Sequence, residues 1–435
     1  MKHIEKKPTK VVSTTTQPLA AGIDIGSNQV TCVVGIIDEE LQKINVLGNS
    51  IVKCANKRCI EAGEIKNIAE AGHAIRAAVK EAERTAGGEA SYYAVAVRGR
   101  FIEARKAIGK SSTDPAKREV TNDTIDDAIN NARDVITGDL SYASDILQII
   151  PNDYTLDGAS GIQEALGMGG INLEIEVHAL AAPILKIENI DKALQHAEVN
   201  SQVKVYSYLA ASEILVRPDE KELGCLVVDF GGSTIGLVLY IDNIKFICEI
   251  QAGSDLITKY ISRNFKAPLD EARRIKEEFG AAVIGDDFQN YDFEYLAADG
   301  VSLKKNERIY LIQEVIQPEI DRMLTKIESV LRDKGYTKDD LSGGIILTGG
   351  GSLMESMKDA FERFFDGCSV RIARPVTEKV IGLNNIIANP SYTAATGALY
   401  YLFSSSPEQI ESRETYTFSS LSFLNKVKKF FKEIF

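Results

Sequence analysis

The sequence predicts an α/β fold built from two related domains that face each other. Three observations carry this reading. Apolar, strand-like runs alternate with helical patterns along much of the chain. The segment GIDIGSNQVTCVVG near the start is repeated in kind as VVDFGGSTIGLVLY in the second half, aligning Asp24 with Asp229, Gly26 with Gly231, Val30 with Ile235 and Val33 with Val238. The length of 435 residues leaves room for two to three domains, at roughly 100–200 residues each.

Taken in order, residues 1–18 are basic and then Thr-rich, and read as a disordered leader without the apolar centre of a signal peptide. A strand–turn–strand pattern follows, and then a helix over 66–85 with Ile68, Ala71, Ile75, Ala78 and Val79 in phase. Residues 91–175 break the rhythm and read as an inserted subdomain. They hold short strands (YYAVAV), a helix capped by Thr121 or Asn122 with Ile125, Ala128, Ile129, Ala132 and Val135 in phase, and the run GMGG at 167–170. Residues 404–418, polar and Ser-rich with Pro407, read as a linker.

A net charge of −12 argues against a general nucleic-acid binder, which needs clustered Lys and Arg. The six cysteines and four histidines are scattered without metal-knuckle spacing, so reduced, partly buried thiols are expected. No stretch approaches the ~18 apolar residues of a membrane span. A chain that is neither secreted nor bilayer-crossing is therefore expected.

The repeated element has a chemistry. In Asp24-Ile25-Gly26-Ser27-Asn28 and Asp229-Phe230-Gly231-Gly232-Ser233-Thr234 an apolar strand ends in Asp-x-Gly and enters a turn of small residues. Such turns aim backbone N–H groups at one point, a nest for phosphate oxygens, and glycine is required where a Cβ would block the approach. The aspartates at the strand ends suit ordered waters of a Mg²⁺ that bridges phosphates, because Mg²⁺ takes few carboxylates and keeps its water. A third cluster, Thr348-Gly349-Gly350-Gly351-Ser352, follows the apolar run IIL and precedes a helix. Its flat backbone suits an adenine or ribose face.

Two Asp-x-Gly hairpins and a late hydrophobic-TGGG strand resemble the superfamily of actin, sugar kinases and heat-shock chaperone ATPases. The chain is more closely similar to the bacterial cell-division actin homologues, the FtsA family. The runs IPNDYTLDG (150–158), ELGCLVVDFGGST, QAGSDLIT (251–258), ARRIKEEFG (272–280) and EVIQPEIDRML carry that resemblance. It implies an actin-like two-domain fold with a duplicated core around a nucleotide cleft, an inserted FtsA-type subdomain and a C-terminal amphipathic helix.

The resemblance also implies a division of the chain. The first domain takes 19–90 and 176–210 around the insert. The second takes 211–271, an upper subdomain 272–335, and 336–403 with a return to the first domain. Residues 419–435 form the terminal helix. The implied ligands are ATP and Mg²⁺. Gly26, Ser27, Asn28, Gln29, Gly231, Gly232, Ser233, Thr234, Gly253, Lys276, Gly349, Gly350, Gly351 and Ser352 would hold the nucleotide, with Asp24 and Asp229 reaching the metal through water. The implied partners are the C-terminal tail of FtsZ, met near Lys304 and Lys305, further copies of the chain in protofilaments, other division proteins and anionic lipid. The implied location is the cytoplasmic face of the inner membrane at the division site.

Two positions depart from the family pattern. Gly236 stands where the second hairpin usually carries Asp, and Arg273 where Glu follows Ala272. Both bear on hydrolysis and imply at most a weak ATPase. A metabolic kinase of this fold would need a catalytic carboxylate by the phosphates, a chaperone would need a long domain after residue 400, and a pilus-assembly anchor shares the hairpins but not the insert and terminal helix.

That helix is legible on a wheel. Phe423, Leu424, Val427, Phe430, Phe431, Ile434 and Phe435 share one arc, with Leu421 at its edge. Lys428, Lys429 and Lys432 lie on or beside the polar arc. So short a helix needs a surface. Each Lys near an anionic leaflet adds about 1 kcal/mol, and the apolar arc adds partial burial. Phe430→Glu with Phe431→Glu is expected to release the chain from vesicles at any salt in a pelleting assay. Changing the three Lys to Ala is expected to weaken binding to anionic vesicles only, and continued pelleting of the double Glu variant would remove the anchor.

Overall fold

The computed structural model describes residues 18–27, 29–38, 43–54 and 59–404. The leader up to residue 17, Asn28, and the linker and terminal helix beyond residue 404 lie outside the described residues.

Two sheets share one topology. In the first, the antiparallel strands Lys43–Lys53, Gln29–Asp38 and Leu19–Ile25 are followed by the parallel strands Ala90–Val97 and Val203–Tyr206. In the second, Asn243–Ile250, Ile235–Ile241 and Cys225–Phe230 are followed by the parallel strands Gly344–Thr348 and Val370–Ile372. The first sheet adds Val380–Gly382 at its edge. The duplicated sequence is thus a duplicated sheet, and Asp24 faces Thr31 across its hairpin as Asp229 faces Gly236. The strands Leu19–Ile25 and Cys225–Phe230 are buried almost throughout, because each has neighbours on both edges and helices over its faces.

The helix Ile68–Ala86, capped by Asn67, buries Ala71, Ala74, Ile75, Ala78, Val79 and Ala82 on the first sheet. The chain crosses between the domains through Ser207–Leu215 and returns through Thr393–Ser404. These two helices touch backbone to backbone. A Cβ on Gly397 would stand 1.9 Å from the Ala210 carbonyl oxygen, and one on Gly22 would stand 2.0 Å from that of Ala395.

The inserted subdomain is a separate four-stranded antiparallel sheet ordered Glu103–Ser112, Asn172–Pro183, Ser144–Leu156, Ala159–Ile162. The helix Asn122–Asp139 covers one face. Thr121, not Asn122, caps it, trading hydrogen bonds with Thr124. Its buried positions are Thr124, Ala128, Ala132 and Ile136, whereas Val135 is half exposed, one residue off the face. The expected bounds of 91–175 shift at both ends. The strand Ala90–Val97 pairs with Leu19–Ile25 in the first domain, and the last insert strand runs to Pro183. YYAVAV belongs to the first sheet because its buried residues fill the slot between two parallel neighbours.

All six cysteines are free thiols, four of them buried, as expected for reduced side chains.

The insert helix lies very close to its sheet, with a Cβ on Gly109 placed 1.8 Å from the Ala128 carbonyl oxygen. Gly109→Ala is expected to cost about 1–3 kcal/mol by overpacking. Gly138→Ala, in the same helix with open space around it, is expected to add about 0.5–1 kcal/mol. Urea unfolding midpoints of the two variants test the pair.

Candidate functional site

The two repeated turns close in the same way. The Gly26 N–H donates to the Gln29 carbonyl at 3.0 Å, and the Gly231 N–H donates to the Thr234 carbonyl at 3.0 Å. Added Cβ atoms would meet those same carbonyls at 3.0 and 2.8 Å. Glycine is therefore required by the turn itself in both domains.

The third cluster divides its glycines by task. Gly349 has φ of +80° and lies against Asp229, where a Cβ would come within 2.4 Å of Oδ1. A Cβ on Gly351 would meet the Phe230 ring at 2.3 Å. Gly350 is different, since its Cβ would find only the Ser391 Oγ at 3.5 Å.

These pieces line one cleft of about 640 Å³ between the domains, within the usual ~300–1,000 Å³ of a small-ligand pocket. The structure brings Asp24, Gly26, Ser27 and Gln29 together with Asp229, Gly231 and Gly232, and adds Lys276 and Gly349 to Gly351. Four expected residues do not line it. Ser233 Oγ donates to Asp255 at 3.2 Å, Thr234 Oγ1 pairs with the Tyr208 hydroxyl at 3.0 Å, and Ser352 Oγ donates to the Gly349 carbonyl at 2.7 Å. Their hydroxyls brace the turns. Gly253 backs the second turn, and the N–H groups of Ser254 and Asp255 at the start of the next helix donate to the Gly231 and Gly232 carbonyls at 3.0 and 2.8 Å. Lys276 donates to the Ser254 carbonyl at 3.3 Å, and burial lowers its pKa.

The floor of the cleft carries a residue the sequence did not single out. Arg98 follows the strand Ala90–Val97 directly, so it emerges beside the end of Leu19–Ile25. Its Nη2 donates to both Asp24 oxygens, at 2.6 and 2.7 Å, and its Nη1 lies 3.7 Å from Asp229 Oδ1. All three side chains are buried. Burial opposes the Arg98 charge, but the carboxylates of Asp24 and Asp229 outweigh it and hold its pKa above the ordinary arginine value. Burial raises the Asp229 pKa; Arg98 opposes that and Asp24 reinforces it. Asp24 also accepts from Ser207 Oγ at 3.3 Å. Asp24 and Asp229 are expected from the sequence to reach Mg²⁺ through water; with the Arg98 guanidinium standing between them, no ion fits directly between the two carboxylates.

The two departures from the family pattern also have surroundings. A Cβ on Gly236 would meet the Tyr208 ring at 2.3 Å, so no Asp fits while that ring is in place. The Tyr208 hydroxyl donates to Glu249 at 2.7 Å beneath the second turn. Arg273 lines the cleft, with its guanidinium 3.7 Å from Asp270. Lys304 and Lys305 do not line the cleft; they lie on the largely exposed strand Leu303–Glu307 of a small hairpin.

A model of the family described as cell division protein FtsA matches residues 226–397, and one for the SHS2 domain inserted in FtsA matches residues 103–181. The chain is 29% identical to a cell division protein FtsA of Neisseria meningitidis serogroup B, over 87% of this chain and 88% of the relative. It is 26% identical to that of Escherichia coli K12, over 90% and 92%. Among solved structures it resembles a PilM–PilN type IV pilus biogenesis complex, with a TM-score of 0.61 at 16% identity, covering 89% of this chain and 99% of that one. It also resembles MreB5 of Spiroplasma citri bound to ADP, with a TM-score of 0.51 at 11% identity, covering 92% and 99%. At such identities the structural likeness speaks for the fold, which is actin-like.

The glycine division is testable by stability alone. Gly351→Val, driven into Phe230, is expected to cost about 1–3 kcal/mol. Gly350→Val is expected to stay within about 0.5 kcal/mol of the parent. Thermal melting of both variants reads the difference, and equal losses would place Gly350 in the packing too.

Proposed function

The chain belongs to the FtsA family of cell-division proteins, and from that premise we propose that it binds ATP in the interdomain cleft and tethers an FtsZ polymer to the membrane. One observation carries the nucleotide reading. Two equivalent glycine turns, one from each domain, open on one cavity with the only slightly hindered Gly350 and with Lys276. Backbone N–H groups and a cation on one side, with a flat glycine platform on the other, suit a triphosphate and a nucleoside respectively.

Binding is favoured over turnover. Tyr208 occupies the space an Asp at position 236 would need, and Arg273 brings a cation where a carboxylate would serve hydrolysis. Arg98 joins the two carboxylates expected to reach a metal through water.

The tethering reading rests on the terminal amphipathic pattern and on the family. Anionic lipid on the cytoplasmic face at the division site would receive the helix 419–435. Lys304 and Lys305, with Val301 82% and Leu303 68% exposed on the same hairpin, offer a basic and apolar edge to the acidic tail of FtsZ. Self-association into protofilaments would place many weak anchors side by side, so that avidity makes a reversible helix a firm attachment. The insert is left free for other division proteins.

Calorimetry and vesicle pelleting test the two halves. The full chain is expected to bind ATP, and Gly350→Val is expected to lose at least about tenfold in affinity while keeping its melting temperature. Unchanged affinity in the folded variant would remove the cleft assignment. The full chain is expected to carry FtsZ into the vesicle pellet, and the chain lacking residues 419–435 to leave it in solution. FtsZ that pellets equally with both would contradict the tether.

A further inference from the structure

We propose that the Arg98 guanidinium is the resident cation of the cleft, holding the place between Asp24 and Asp229 that a divalent ion would hold and making nucleotide binding independent of Mg²⁺. The proposal rests on the nucleotide reading above and goes beyond it by replacing the metal with a side chain.

Its ground is geometric. Arg98 Nη2 donates to both oxygens of Asp24 at 2.6 and 2.7 Å, and Nη1 lies 3.7 Å from Asp229 Oδ1. One guanidinium therefore bridges the equivalent aspartates of two different domains. Asp229 Oδ1 and Arg98 Nε are buried and have no hydrogen-bond partner among the described residues. Arg98 Nε thus keeps a donor, and Asp229 Oδ1 an acceptor, for something that enters the cleft the two residues line. Its Nη1 is also 3.8 Å from where a Cβ of Gly231 would be, at the base of the second phosphate turn. Phosphate oxygens arriving there would meet a planar donor fork suited to them.

The side chain is held in this place from several directions. A Cβ on Gly63 would lie 2.0 Å from the Arg98 carbonyl oxygen, so its main chain is pinned against a neighbouring turn. Its guanidinium carbon sits 5.6 Å from the Tyr208 ring centre. The nearby titratable and charged groups include Asp24, Asp229, Tyr208 and Glu249. Arg98 supplies a positive charge between the two aspartates. A Mg²⁺ ion added between them would face that guanidinium and would have to shed or crowd water it gives up reluctantly.

The test is a titration of the full chain with a fluorescent ATP analogue, in EDTA and in excess Mg²⁺. The affinities in the two buffers are expected to agree to within about threefold, under half of one 1.4 kcal/mol decade. In Arg98→Met, which removes the charge, binding in EDTA is expected to fall at least about tenfold below binding in Mg²⁺. Arg98→Lys is expected to restore part of the metal independence. Should Arg98→Met not fold, the two wild-type titrations decide alone. Wild-type binding that needs Mg²⁺ by tenfold or more would overturn the proposal while leaving the nucleotide cleft standing. An absence of binding in both buffers would overturn the nucleotide reading and this proposal with it.

Discussion

Two buried carboxylates, one at the end of each repeated strand, have to share the floor of one cleft, and the Arg98 guanidinium is what allows it. Isolated, each would be costly to bury ionised, and together they would repel. The bridge to Asp24 is short and nearly solvent-free, and the Asp229 side of the guanidinium lies 3.7 Å away. Removing one partner of a buried ion pair typically costs about 3–5 kcal/mol, because the other charge is left uncompensated. Here the loss would fall on the junction of two domains. Gly349 packs on Asp229, the second turn follows Phe230, and Tyr208 lies beneath, so the geometry of the candidate site is tied to this cluster.

The same economy of space governs the crossing helices. Gly397 against Ala210 and Gly22 against Ala395 bring backbones closer than any side chain would permit. These contacts hold the returning helix Thr393–Ser404 against the helix Ser207–Leu215 and against the strand Leu19–Ile25. A ligand that touches both turns would couple the two domains directly.

Much of this was legible in the sequence where the signal was local. The Asp-x-Gly repeats, the TGGG strand and the alternation of strands and helices are short patterns, and they foretold the duplicated sheets and the two matched turns. The insert was visible as a break in rhythm, but its edges were not. Whether Ala90–Val97 pairs inside the first sheet depends on partners far along the chain. Hydroxyl direction was equally hidden, since Ser233, Thr234 and Ser352 have the residue types of phosphate ligands yet turn toward Asp255, Tyr208 and the Gly349 carbonyl. Arg98 was missed because its meaning comes from Asp24, 74 residues away. The usable signal was an arginine immediately after an apolar run, where a parallel strand ends and ligands of α/β sheets gather.

The most direct measurement is a structure of the full chain determined with bound ATP. The triphosphate is expected between the Gly26 and Gly231 turns, the nucleoside along Gly350, and Arg98 still joined to Asp24. ATP bound elsewhere on the chain, with the two turns facing an empty cleft, would contradict it.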